Sequence, residues 1–424
     1  MSKKDKIQRR KKQKRKRIAV LVVQIIVLII LAIVLILAIR FTQLFGLVDR
    51  VETDSEKIKT SSEANAQYDT STTSSSVTQE ESETSQYTGY DVIALVGLDS
   101  RGDESSDDYS ENSDTMIICV IDHNNKAIRL CSVYRDTYLN VGDDYYGDPD
   151  YYTKANAAYN LGGPEQFLSM LNLNLDLNVT QFVTVDFAVL TECIDALGGL
   201  DIPMTREELI HVNNYNVETA EQSGVAYEAI EVPDDPNFDG DVTQTFHCNG
   251  SQAVSYARIR YTSGNDFRRA SRQREVLSLI KQKAMQSDVF TLNSVLEKVL
   301  PGVTTNMDSA SLISLALNIV SYDMSDSNME GFPTVKAWGS DVLEGEYVVP
   351  VTLQYNVQTL HQFLFPDQEY TPSYTVQEYS TKISEDSGVG DADIEYYSTL
   401  DDESALVGVS EEEYITMLQN GTLN

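Results

Sequence analysis

The 424 residues are enough for one or two domains with a sizeable core, and a formal charge of −33 at pH 7 is spread unevenly along them. The first 17 residues hold eleven Lys or Arg and one acid, a net of +10, whereas the rest holds 21 basic and 64 acidic residues, a net of −43. A body this acidic excludes nucleic-acid binding, which needs phosphate neutralisation by Lys and Arg.

Residues 1–17 therefore read as a basic cytoplasmic arm, because a Lys/Arg block beside an apolar run is a topology signal. The run spans 18–39 and is apolar except for Gln24. At ~1.5 Å per residue it reaches about 33 Å, enough to cross a ~30 Å hydrocarbon core. It is longer than a cleavable signal, and no small-x-small site follows it closely. A transmembrane signal-anchor helix is expected, with the remainder of the chain outside the cell membrane. Residues 40–88 are rich in Ser, Thr, Glu and Gln and read as a flexible extracellular stalk.

Folded sequence is expected over 89–370. Val92–Leu98 predicts a strand, and Thr115–Asp122 and Ala127–Val133 an antiparallel pair around His123–Lys126. In that register Cys119 faces Leu130, so Cys119 and Cys131 point to opposite faces. The four cysteines have no C-x-x-C spacing and no metal-ligand pattern with the four histidines; they read as small buried hydrophobes. Pro164–Leu171 predicts a helix, Gln181–Val185 a strand, and Phe187–Leu197 a helix stopped by Gly198-Gly199. Helical periodicity returns at Gly250–Arg258, Phe267–Ser287, Thr291–Leu300 and Ser309–Val320. A strand at Tyr347–Val351 and a helix at Tyr355–Leu364 close the fold. Interleaved strands and helices predict a three-layer α/β/α domain with a mixed central sheet. Residues 371–424 read as an acidic tail: an ordered edge, then a loose end dispensable beyond about 380.

No P-loop, G-x-G-x-x-G or G-x-S-x-G occurs, and each histidine is isolated, so neither a Ser-His nor a zinc mechanism is supported. What remains is Asp and Arg at strand ends and helix starts: Asp99 and Arg101, Asp114, Arg135-Asp136, Lys154 and Asn156, then Arg258-Ile259-Arg260 and Asp266-Phe267-Arg268-Arg269 through Arg272, Gln273 and Arg274. A guanidinium fork matches phosphate oxygens and keeps its charge at physiological pH. Arg268, Arg272 and Arg274 read as solvated surface pairs with surplus acids. Asp266 stands where an N-cap would begin its helix, and equally where a general base would be placed. Arg269, Gln273, Val276 and Ile280 fall at i, i+4, i+7 and i+11, one helical stripe that is polar first and apolar after. Val276 and Ile280 fit either ordinary core or the mouth of a lipid pocket.

In order and spacing these pieces resemble the LytR–CpsA–Psr family of Gram-positive cell-envelope proteins. The matching segments are Gly97-Leu98-Asp99-Ser100-Arg101, Ser113-Asp114-Thr115-Met116, Ser132-Val133-Tyr134-Arg135-Asp136-Thr137, Asn156-Ala157-Ala158-Tyr159 with Gly162-Gly163, Ala196-Leu197-Gly198-Gly199, Tyr256-Ala257-Arg258-Ile259-Arg260 and Asp266-x-x-Arg269-x-x-Arg272-Gln273. The resemblance implies a hydrophobic pocket for a polyprenyl chain and Mg²⁺-assisted phosphoryl transfer. The implied donor is an anionic glycopolymer, teichoic acid or capsule, on undecaprenyl diphosphate; the implied acceptor is a peptidoglycan sugar hydroxyl. Carried over by position, Asp99 and Asp114 hold the metal, and Arg101, Arg135, Lys154, Arg258, Arg260, Arg269 and Gln273 grip the diphosphate. Asp99, Arg135, Arg258 and Asp266 are the implied catalytic set. The chain departs from the pattern at Asn112, where the family usually has Arg, and at Tyr134, where it usually has Pro. A diphosphate hydrolase and a non-catalytic wall-binding regulator are the other readings of the same residues.

Overall fold

The computed structural model describes residues 46–61, 89–101, 110–260, 265–338 and 342–399. The basic arm and the apolar run 18–39 lie outside these. Among the described residues, no helix is long and apolar enough to cross a membrane. The chain divides into two compact units, Met1–Val48 and Asp49–Asn424; the second contains the fold.

That fold begins earlier than composition suggests. Asp49–Arg50 forms a short strand β1, and Ile58 is buried in the main core, so part of the expected stalk is domain. Lacing by Ser169 and Asn172 explains the order: Ser169 Oγ accepts from Lys59 N at 2.9 Å, and Asn172 Nδ2 donates to Lys59 O at 3.2 Å. Next come β2 (Tyr90–Arg101), β3 (Ser110–Asp122) and β4 (Ala127–Val133). The β3–β4 turn holds the expected register, with Cys119 opposite Leu130. Cys131 enters the main core and Cys119 does not; burial pushes the Cys119 thiol up to about 12. Cys193 is half-buried, and all four cysteines are free.

A small hairpin, β5 (Tyr138–Asn140) and β6 (Tyr152–Lys154), precedes helix α1 (Ala157–Leu175). The helix is broken at Gly162-Gly163, where Gly163 has φ 63° and ψ −158°, and Pro164 opens the straight second part. Then follow β7 (Gln181–Asp186), α2 (Phe187–Ala196), β8 (Leu200–Met204), α3 (Arg206–Gln222), β9 (Gln244–Cys248), α4 (Gly250–Arg258), α5 (Asn265–Gln286), α6 (Val289–Val299), β10 (Thr304–Thr305), α7 (Ser309–Ser321), β11 (Met329–Phe332), β12 (Lys336–Trp338), β13 (Val348–Pro350), α8 (Leu353–Leu364) and α9 (Tyr374–Ser387).

Seven strands make the central sheet in the order β1-β10-β7-β2-β3-β4-β11, with both parallel and antiparallel neighbours. Strand alternation splits its side chains. Ala94, Val96, Ile118, Val120, Cys131 and Val133 enter one core with Phe167 and Leu171 of α1 and Val357 and Leu364 of α8. Ile93, Ile117, Cys119, Ile121, Ile128 and Leu130 are also buried but outside that core, on the other face. A second core joins α2, α3, α4 and α5 with the β8–β9 hairpin. The result is a mixed-sheet α/β domain with helices on both faces.

The boundary expected near 380 falls inside α9, whose Val376 and Ile383 are buried in the main core, as is Val389 beyond it. Each such side chain contributes roughly 1.5–3 kcal/mol, which an acidic composition does not reveal. The ordered edge therefore extends through the described residues to Thr399.

Candidate functional site

The long β2–β3 ribbon changes register between Gly97 and Leu98: Gly97 faces Thr115 and Leu98 faces Ser113. Asp114 is the extra residue, and a bulge of this kind re-aims a side chain. Its carboxylate collects three arginines from three segments. Arg135, just after β4, donates from Nη1 to Oδ1 at 2.9 Å. Arg260, just past α4, donates from Nη2 to Oδ2 at 3.3 Å. Arg269, in the first turns of α5, stands 4.0 Å from Oδ2 and donates to the Asp114 carbonyl at 3.1 Å.

The chain around Arg135 is held by its own backbone. Thr137 N and Oγ1 both donate to Tyr134 O, Asn156 N donates to Arg135 O, and Ala155 N donates to Thr137 O. The Asn156 carbonyl in turn accepts from Ser113 Oγ at 3.3 Å. Asp136 turns back beneath, 3.5 Å from Arg135 Nε and 3.0 Å from Lys154 Nζ. Among the described side chains, four cations thus gather around Asp114 and Asp136. Burial alone would raise the Asp114 carboxyl, but Arg269, Arg135 and Arg260 outweigh it and hold it below the usual carboxylate range. Guanidiniums gathered at the start of a 22-residue helix suit phosphate oxygens.

Several expected residues lie elsewhere. Arg258 points away from the cluster: Nη1 donates to Thr219 Oγ1 at 2.8 Å and Gln222 Oε1 at 3.1 Å, and the guanidinium lies 4.7 Å from the Phe187 ring centroid. The reason is the helix end. α4 stops at Arg258, and the extended, fully buried Ile259 sends Arg260 toward Asp114 instead. Arg272, expected on the surface, is 3% exposed and donates from Nε and Nη2 to Glu208 Oε1 at 3.1 and 2.9 Å. Arg268 is exposed, as expected, and Arg274 half-buried. Val276 is 1% exposed inside the second core, which assigns it to packing; Ile280 lies against the same core. Gln273 follows Arg269 by one turn and is half-buried.

The side chains of Asp99, Arg101, Asn112 and Asp266 lie outside the described residues. Their backbone places Asp99 opposite Asn112, two residues before Asp114, and Arg101 opposite Ser110 at the end of the ribbon. Asp266 falls one residue inside α5. Among the described residues no group of three His, Cys, Asp or Glu forms a metal cluster. Mg²⁺ needs only one or two carboxylates when phosphate oxygens complete its shell, so an ionised Asp114 within reach of a bound phosphate is a fitting donor. Two features escaped sequence reasoning. Asp136 stood inside a quoted motif without a role, and Tyr134, in place of the family's Pro, forms an aromatic group with Phe267 (4.6 Å) that extends to Trp338.

The chain is 26% identical over 290 residues to the polyisoprenyl-teichoic acid–peptidoglycan teichoic acid transferase TagV of Bacillus subtilis, a match covering 66% of this chain and 65% of that protein. It is 30% identical over 218 residues to the transferase TagU of Enterococcus faecalis, covering 51% and 59%. The chain thus spans less than two thirds of the length of these relatives. A crystal structure of a Streptococcus agalactiae protein superposes with a TM-score of 0.50 at 23% identity, covering 69% of this chain and 95% of that one, which supports the fold. The profile of the LytR_cpsA_psr family matches residues 51–361, through every strand of the central sheet but the first, and the chain belongs to that family.

Proposed function

We propose that the protein transfers an anionic glycopolymer from undecaprenyl diphosphate to a peptidoglycan sugar hydroxyl. It would act as a single-pass protein of the cell membrane, with the apolar run 18–39 as its anchor, its N-terminus cytoplasmic and its α/β domain outside. The observation that carries this reading is the gathering of Arg135, Arg260 and Arg269, from three separate segments, around Asp114. The names of the relatives TagV and TagU supply the substrate class.

In this mechanism the guanidiniums of Arg135, Arg260 and Arg269 turn from Asp114 to the nonbridging diphosphate oxygens, where charge grows during displacement. Lys154 and Gln273 extend the grip on either side. Asp114 and Asp99 would hold Mg²⁺, which would supply further neutralisation of the leaving phosphate. The acceptor oxygen forms a new bond to the glycopolymer phosphorus as the bond to undecaprenyl phosphate breaks, and the Asp266 carboxylate takes the hydroxyl proton.

The test is incubation of the protein with lipid-linked glycopolymer and Mg²⁺, with and without peptidoglycan. Transfer requires polymer attached to the wall and release of undecaprenyl phosphate. Free polymer in both reactions would make the protein a hydrolase, and no turnover with retained binding would make it a regulator.

A further inference from the structure

The short hairpin β12–β13 carries side chains that the transfer chemistry above does not use. Ala337 and Val349 face the main core, so alternation turns Lys336, Trp338 and Val348 to the opposite side. That side meets the segments that supply the cationic cluster. Val348 N donates to the Asp136 carbonyl at 2.9 Å, and Val348 also bridges to Thr137. Trp338 pairs with Val348 across the hairpin, so its backbone stands two strand spacings, roughly 10 Å, from Thr137.

The Trp338 ring joins an aromatic group whose other members adjoin the cluster arginines in sequence. Tyr134 directly precedes Arg135, and Phe267 lies two residues before Arg269. The Tyr134 and Phe267 centroids are 4.6 Å apart, and those of Phe267 and Trp338 6.5 Å. Lys336 sets its ammonium 4.4 Å from the Phe267 centroid and 5.4 Å from that of Tyr134. The floor of the group is closed, because Tyr134, Phe267, Ala270 and Val348 are buried. Lys336 and Trp338 are half-buried and form its accessible edge. An indole seated on a sealed floor is a rigid apolar surface with an N–H donor at its rim. One face of a pyranose presents C–H groups, and its hydroxyls radiate from the ring edge. Such a ring matches an aromatic face flanked by hydrogen-bond donors.

We propose that Trp338, with Lys336 beside it, stacks on the sugar bonded directly to the diphosphate of the donor. That sugar stays on the same phosphorus before and after transfer, so a fixed surface beside the guanidiniums holds it throughout. The inference rests on the transferase reading and adds a specificity-determining contact to it. Guanidiniums grip oxygens that every lipid diphosphate has. A contact made only with the sugar favours the loaded carrier over the bare one.

The test is calorimetric titration of the full-length chain in detergent micelles with undecaprenyl diphosphate and, separately, with the same lipid bearing one N-acetylglucosamine. Wild type should bind the sugar-bearing lipid roughly two- to tenfold more tightly, the scale of one ring contact. Trp338→Leu, which keeps apolar volume at the position, should erase that preference and leave the bare lipid unchanged, and Trp338→Phe should restore most of it. Trp338 is the one tryptophan in the 424 residues. Its emission should therefore shift with the sugar-bearing lipid and not with the bare one, a readout that needs no variant and decides even where Trp338→Leu fails to fold. Equal affinity of wild type for the two lipids, a preference that survives Trp338→Leu, or an emission shift of equal size with both would each overturn the assignment. So would an effect of Trp338→Leu confined to KM for peptidoglycan, which would give the ring to the acceptor. A wild-type chain that binds neither lipid refutes the transferase reading itself, and this inference with it.

Discussion

Arg269 and Arg272 stand three residues apart on α5, and both are buried and paired with an acid, yet they belong to different kinds of region. Arg272 meets Glu208, one cation to one anion, and its remaining Nη1 donates to the Ile259 carbonyl at 3.2 Å. Arg269 shares Asp114 with two further guanidiniums. The first region is a pair sealed in the second core, whereas the second gathers guanidiniums from three separate segments on Asp114. The convergence of several segments, more than burial or residue type, separates the Asp114 cluster from the Arg272–Glu208 pair.

The largest effect expected from this contrast is on stability. Arg272→Ala leaves the Glu208 carboxylate buried and uncompensated, which costs about 3–5 kcal/mol, read by equilibrium denaturation. A smaller loss than that of Arg269→Ala would break the comparison. Next comes binding: Arg269→Ala should lose about 1.5–3 kcal/mol of affinity for polyprenyl diphosphate. Its stability cost should be the lesser one, because Asp114 keeps Arg135 and Arg260. Unchanged affinity would remove Arg269 from the site. Arg258 and Arg260 sharpen the point at closer range. Arg258→Ala should cost roughly 1–2 kcal/mol of stability through its lost bonds to α3 and leave diphosphate affinity alone, and Arg260→Ala should do the reverse.

The smallest effect is on pH dependence. Three arginines hold the Asp114 carboxyl, against its burial, below its unfolded pKa of about 3.9. Its contribution is therefore fully present above about pH 4 and is lost as pH falls through the folded value. The stability difference between wild type and Asp114→Asn should be flat at neutral pH and shrink on acidification below 4. A gap that widens there would contradict the charge balance drawn around Asp114.

Much of the fold follows from local pattern. Ala127–Val133 and Gly250–Arg258 form as expected to the residue, because alternation and the Asn249 capping box act within a few positions. The helix Arg206–Gln222 escaped although Thr205 and Glu208 spell a capping box, since its polar sequence lacks a clear apolar stripe. The β8–β9 hairpin escaped because 39 residues separate its strands, and β1 because two residues give no periodicity. The cluster was half legible. Motif order singled out Asp114, Arg135, Arg260 and Arg269, but nothing local tells Arg258 from Arg260. That distinction depends on α3 passing one side of a helix end and β3 the other.

The short strand β1 also has a mechanical consequence. It joins the sheet through Asp49 N to Val303 O and Val51 N to Thr305 O, both 3.1 Å. The residues that follow, Glu56 to Thr60, form one wall of a polar cleft whose other walls are the β5–β6 hairpin, α1 and α9. A pull on the chain ahead of Asp49 loads those two hydrogen bonds first and the cleft wall second, through Asp54 N on Glu165 and Lys59 N on Ser169. The cationic cluster, built on β3, β4 and α5, is separated from β1 by β10, β7 and β2 and feels the load last. Tension on the chain ahead of Asp49 would thus open the cleft while the Asp114 cluster holds.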